Sequence, residues 1–86
     1  MVSEEKANPV RQAILDLTTE AGPGKTISAE QAARAVSDAN FQRVLKDVRA
    51  EAVRLHKAGT VLIYRKGKPV EDPDVFKGVY RLGLPA

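Results

Sequence analysis

The chain has 86 residues, enough for one domain with a thin core, because a domain this short buries only about 60–65% of the surface its unfolded chain exposes. It has no cysteine and a single histidine, His56, which excludes a disulfide and a Cys/His zinc site as staples for that core. With 43% apolar and 29% charged residues and a net charge of +3, it reads as a folded domain and not as a disordered segment or a heavily charged nucleic-acid coater.

The N-terminal residues, Met1-Val2-Ser3-Glu4-Glu5-Lys6, are polar and lack the apolar run of a signal peptide. Residues 1–7 are expected to be a flexible lead-in, and residues 8–84 one domain. No stretch approaches the roughly 20 apolar residues that cross a bilayer. The expected setting is the cytoplasm, with no membrane partner.

Asn8-Pro9 is a helix-start signal. Asn can cap, and Pro is tolerated in the first turn because its missing N–H would have no partner there. Val10, Ala13, Ile14 and Leu17 then recur at helical spacing, and Gly22-Pro23-Gly24 stops the first helix at Ala21. Thr26-Ile27 is a β-branched stub of strand. Ser28-Ala29-Glu30-Gln31 is a capping box, which opens a second helix over about 29–36 with Ala32, Ala33 and Val36 inside.

Ser37-Asp38-Ala39-Asn40 is a polar break. The third helix is the clearest element: Phe41, Val44, Leu45, Val48, Ala52 and Leu55 form one stripe, and Gly59 ends it. Thr60–Tyr64 then reads as a strand, Arg65–Pro69 as a basic turn, Val70–Gly78 as a loop, and Val79–Leu82 as a second short strand. Helix, stub, helix, turn, helix, strand, loop, strand predicts an α+β fold, a small winged helix-turn-helix. It would have three helices, a C-terminal two-stranded wing, and a short strand stub before the second helix.

Two stretches carry a family resemblance. One is Gly22-Pro23-Gly24-Lys25-Thr26-Ile27-Ser28 leading into Ala32-Ala33-Arg34-Ala35. The other is Lys66-Gly67-Lys68-Pro69-Val70 followed, after a gap, by Gly78-Val79-Tyr80-Arg81-Leu82. Together they resemble a bacterial family of small, functionally uncharacterised proteins with a winged-helix-like fold. The resemblance implies the fold and carries no catalytic residue and no ligand.

Gly24-Lys25-Thr26 looks like the end of a phosphate-binding loop, but Thr19 stands where that motif needs its first Gly, and a helix precedes it in place of a strand. His56 has no second His or Cys to complete a metal site, so it reads as a structural histidine. Asp72-Pro73-Asp74 lacks the further oxygens of a calcium loop. Enzymatic activity, a metal and a cofactor are therefore not expected.

The charge is uneven along the chain. Residues 1–40 carry four Lys/Arg against six Asp/Glu, and residues 41–86 carry ten against five, so the back half is basic. On the third helix, Arg43, Lys46, Ala50, Arg54 and Lys57 lie opposite the apolar stripe, with Arg49 at the edge. In a winged helix-turn-helix that face would meet the DNA major groove, and Arg65, Lys66 and Lys68 at the wing base would meet phosphates.

The opposing reading is a solvated, salt-bridged face. Arg43 can pair with Asp47 at i+4 and Glu51 with Arg54 at i+3, and Glu71, Asp72 and Asp74 would repel phosphates if their loop folded toward them. The leading expectation is thus a duplex-DNA-binding, regulator-like module, which could act as a homodimer. The alternative is a protein-interaction module that keeps the fold without nucleic acid and uses Tyr64, Phe76, Tyr80 and the small-residue face of the second helix. RNA is disfavoured by an aromatic content of 5%.

Overall fold

The structure is a computed structural model that describes residues 8–85. The lead-in expected over 1–7 lies outside the described residues. Three helices, α1 (Pro9–Ala21), α2 (Ala29–Val36) and α3 (Phe41–Ala58), pack on one side of a four-stranded antiparallel sheet. The strands are β1 (Thr26–Ser28), β2 (Leu62–Arg65), β3 (Lys68–Pro69) and β4 (Arg81–Gly83), in the order β1-β4-β2-β3.

Local signals set the helix ends. The Asn8 side chain accepts from the Arg11 amide, with Pro9 in the first turn. The Ser28 hydroxyl accepts from the Gln31 amide at 3.0 Å, and the Gln31 side chain accepts from the Ser28 amide at 2.9 Å, completing the capping box. α3 closes on Gly59 at φ 78°. Its apolar stripe points inward: Val48, Ala52 and Leu55 are buried against Ile14 of α1 and Ala32 and Ala33 of α2.

The sheet follows strict alternation. Ile27, Leu82 and Ile63 stand side by side across β1, β4 and β2 and are all buried, forming the floor of the core. The neighbouring rows, Thr26↔Gly83↔Leu62 and Ser28↔Arg81↔Tyr64, face away from the helices. Gly83 is a packing requirement: a Cβ there would lie 2.7 Å from the Lys25 carbonyl oxygen and 3.4 Å from the Tyr64 ring. The Tyr64 ring therefore packs at the space that Gly83 leaves.

Three expectations about the wing are corrected. Lys68-Pro69, read as part of a turn, is strand β3, and only Lys66-Gly67 form the turn between β2 and β3. Both have positive φ, 54° and 82°, which is the signature of a two-residue type I′ hairpin. The last strand is Arg81–Gly83 and not Val79–Leu82, and Val79 is 85% exposed. β4 is also not the second arm of a simple wing. It lies between β1 and β2 and pairs with both, so the stub joins the wing in one sheet. The segment 70–80 is the long connection that makes this possible, and it has no regular structure, as its Pro73 implies.

Candidate nucleic-acid interface

The helical face read from the sequence is intact in space. Arg43, Lys46, Ala50, Arg54 and Lys57 are all exposed on one side of α3, opposite the buried stripe. Arg65 is half-buried at the end of β2, while Lys66 and Lys68 are exposed at the hairpin.

The cations differ in how much of their charge is already matched. Arg54 donates to Glu51 Oε1 at 2.7 Å, the i+3 pair expected from spacing. Glu51 is itself buried and is also held from α1: Arg11 Nε reaches Oε2 at 2.6 Å, and Asn8 Nδ2 donates to Oε1 at 3.1 Å. Burial alone would push the Glu51 carboxyl up. The hydrogen bonds from Arg11 and Asn8 and the charges of Arg11 and Arg54 outweigh it and hold the pKa below its ordinary value. Lys57 meets Asp74 of the 70–80 loop at 3.0 Å, so the acidic loop does fold onto the C-terminal end of α3. Sequence reasoning raised that possibility but could not name the contact.

Arg43 and Lys46, on the first two turns of α3, have no carboxylate within ion-pair distance among the described residues. The Arg43–Asp47 pair that i+4 spacing allows is not formed. Arg49 turns away from this face. Its guanidinium sits 3.9 Å over the Phe76 ring and donates to the Phe76 carbonyl at 2.7 Å, which fastens the loop to α3. Phe76 is accordingly buried, which removes it from the aromatics that the protein-interaction reading expected to meet a partner. The small-residue face of α2 is likewise spent inside: Ala32 and Ala33 are fully buried, so no partner can reach them. Tyr64 and Tyr80 are half-buried, and Tyr80 meets Phe76 edge-on with ring centroids 5.1 Å apart.

His56 is half-buried and accepts the Ile63 amide at Nδ1 (3.0 Å), a tie between α3 and β2. Among the described residues, no three His, Asp or Glu side chains gather as a metal site, and no helix is long and apolar enough to cross a membrane. Asp72 accepts the Asp74 amide in a local turn at 3.0 Å.

The molecule is thus a small α+β domain that carries exposed basic residues on one face of α3 and at the β2–β3 hairpin. It belongs to the family described as Protein of unknown function (DUF3253), whose model matches residues 7–85. No curated protein matches the chain.

Proposed function

We propose that the domain is a winged helix-turn-helix that binds duplex DNA in the cytoplasm and is not an enzyme. The first half of α3 would enter the major groove and the β2–β3 hairpin would lie along the backbone. The observation that carries this reading is the position of the unmatched charge. Arg43 and Lys46 lie on the turns of α3 that reach base edges in helix-turn-helix docking, and neither is spent on a carboxylate among the described residues. Lys66 and Lys68 add phosphate contacts at the hairpin. Arg54 and Lys57, matched by Glu51 and Asp74, contribute less.

The test is anisotropy of a labelled random-sequence duplex with the full chain, at low and near-physiological salt. Binding should fall steeply with salt, and Lys46→Glu should abolish it. Lys46→Ala should reduce the salt slope by about one counterion, while Lys57→Ala should change it by less. No binding at low salt would overturn the proposal.

A protein-interaction module is the second reading, favoured by one observation. Val75 and Val79 are 68% and 85% exposed on the 70–80 loop, in a protein where the other large apolar side chains among the described residues are at least half covered. If the duplex experiment fails, Val75→Ser and Val79→Ser variants are the ones to compare for self-association.

A further inference from the structure

The cations of the helical layer that are held in place are mostly held by carboxylates: Arg11, Arg54 and Lys57 each have one, and Arg34 has two. On the outer face of the sheet the pattern is different. A cleft of about 700 Å³ opens between the start of β1, the end of β2 with its hairpin turn, and the approach to β4. Lys25, Arg65, Lys66 and Arg81 line it together with Tyr64 and Tyr80, and no Asp or Glu is among its lining residues.

Its two arginines are fixed by neutral acceptors. Arg81 donates through Nε to Thr26 Oγ1 at 2.7 Å and through its terminal nitrogen to the Thr26 carbonyl at 3.2 Å. Arg65 Nε donates to the Val79 carbonyl at 3.2 Å, with the guanidinium laid against Gly78. These bonds set the positions of the guanidinium groups and leave their charge unneutralised, and each keeps further N–H donors. Two placed guanidinium groups and two nearby ammonium groups are a recognition set for an oxyanion with several oxygens. The aromatic walls are ordered as well. Tyr64 packs over Gly83 and donates to the Leu84 carbonyl at 3.4 Å, and Tyr80 is braced on Phe76. Burial raises the Tyr80 phenol above its ordinary pKa, against the opposing charge of Arg49, so it stays a neutral donor.

We propose that this cleft binds a small phosphorylated compound with a planar ring, of the nucleoside monophosphate class. The phosphate would sit among Lys25, Arg65, Lys66 and Arg81, and the ring would lie against Tyr64 and Tyr80. A bare phosphate fills only a small part of the space, which has the size of sites that enclose ligands of a few hundred daltons. The cleft shares Lys66 with the hairpin proposed to contact DNA but takes no residue from α3, so the two proposals are tested separately.

The experiment is a nitrogen–proton NMR titration of the full chain, including arginine Nε–H signals, with adenosine monophosphate, inorganic phosphate and adenosine at matched ionic strength. The monophosphate should give saturable shifts at Lys25, Tyr64, Arg65, Lys66 and Arg81. Phosphate should bind the same signals more weakly, and adenosine should leave them unmoved. Arg81→Gln and Lys25→Ala should each weaken monophosphate binding by about tenfold. Lys25 is exposed and its side chain forms no ion pair among the described residues, so loss of binding in that variant with an otherwise unchanged spectrum reports the site and not the fold. Absence of saturable shifts, an equal response to sodium chloride, or adenosine binding as tightly as its monophosphate would each overturn the proposal. So would a duplex that moves these signals when the monophosphate does not.

Discussion

Glu51 is the residue on which the helical layer turns. It sits on α3, 3% exposed, yet its carboxylate oxygens take bonds from Asn8, which caps α1, from Arg11 on α1 and from Arg54 one turn along. A buried charge without such partners would be strongly unfavourable, so the cluster fixes how α1 crosses α3. Glu51→Gln should cost about 2 kcal/mol at pH 7, since it leaves charged donors facing a neutral amide. The pH dependence has a definite sign. The folded carboxyl titrates below its ordinary value near 4.5. Its stabilisation is therefore complete above that value and is lost as pH falls through the lower folded pKa. Urea titrations of both proteins should show the gap narrowing as pH falls below the ordinary carboxylate range and wild type takes up the proton on Glu51. A gap that stayed constant from pH 7 to acid would show that the carboxylate charge is not what stabilises the contact. The Arg54–Glu51 half of this cluster is legible in the sequence as an i+3 pair. The Arg11 half joins residues forty apart, and no local spacing announces it.

At the scale of elements, the helices are readable because most of their ends are written within a few residues. Asn8-Pro9, Ser28 with Gln31, and Gly59 are signals whose partners lie in the same turn. The strands were readable only as apolar, β-branched stretches, and their pairing was not, because the partner of Ile27 is Leu82, fifty-five residues away. The sequence also hid β3. Lys68-Pro69 looks like turn composition, and it becomes a strand because Lys66-Gly67 alone can reverse the chain. That turn needs positive φ at both central residues, easy for glycine and costly for other residues. Gly67→Ala should destabilise the hairpin by about 1 kcal/mol, whereas Lys66→Asn, which tolerates the left-handed region better, should be neutral or slightly stabilising. Thermal unfolding of the two variants would check the order. If Gly67→Ala were as stable as wild type, the reversal would not depend on a type I′ turn. The basic face of α3 follows the same division. Its exposed positions on α3 follow from helical period, while the neutralisation of Lys57 by Asp74 and the burial of Phe76 under Arg49 depend on how the loop folds back.

Across the whole molecule, the sheet order β1-β4-β2-β3 makes the last strand the central tie. β4 is the partner of β1, which leads from α1 into α2, and of β2, which follows α3, so it closes the N-terminal and C-terminal parts of the chain onto one another. Leu82 is fully buried between Ile27 and Ile63, and Arg81 reaches across to Thr26. In a two-stranded wing, losing the second arm would leave the three helices with most of their core. Here, a chain ending at Gly78 would lose Leu82 from the floor of the core, the inter-strand partner of β1 and one of the two partners of β2. A domain this short has only a few kcal/mol of net stability, and removing one buried leucine costs about 2–5 kcal/mol before the lost strand pairing is counted. The truncated chain should therefore show no cooperative urea transition by circular dichroism, although residual helix from α3 can persist. Leu82→Ala in the full chain should fall between the two, with a transition at lower urea. A cooperative transition in the truncated chain near that of the full protein would mean that the three helices fold on their own. The outer sheet face, with Arg81 in its row, would then be an addition to the helical core.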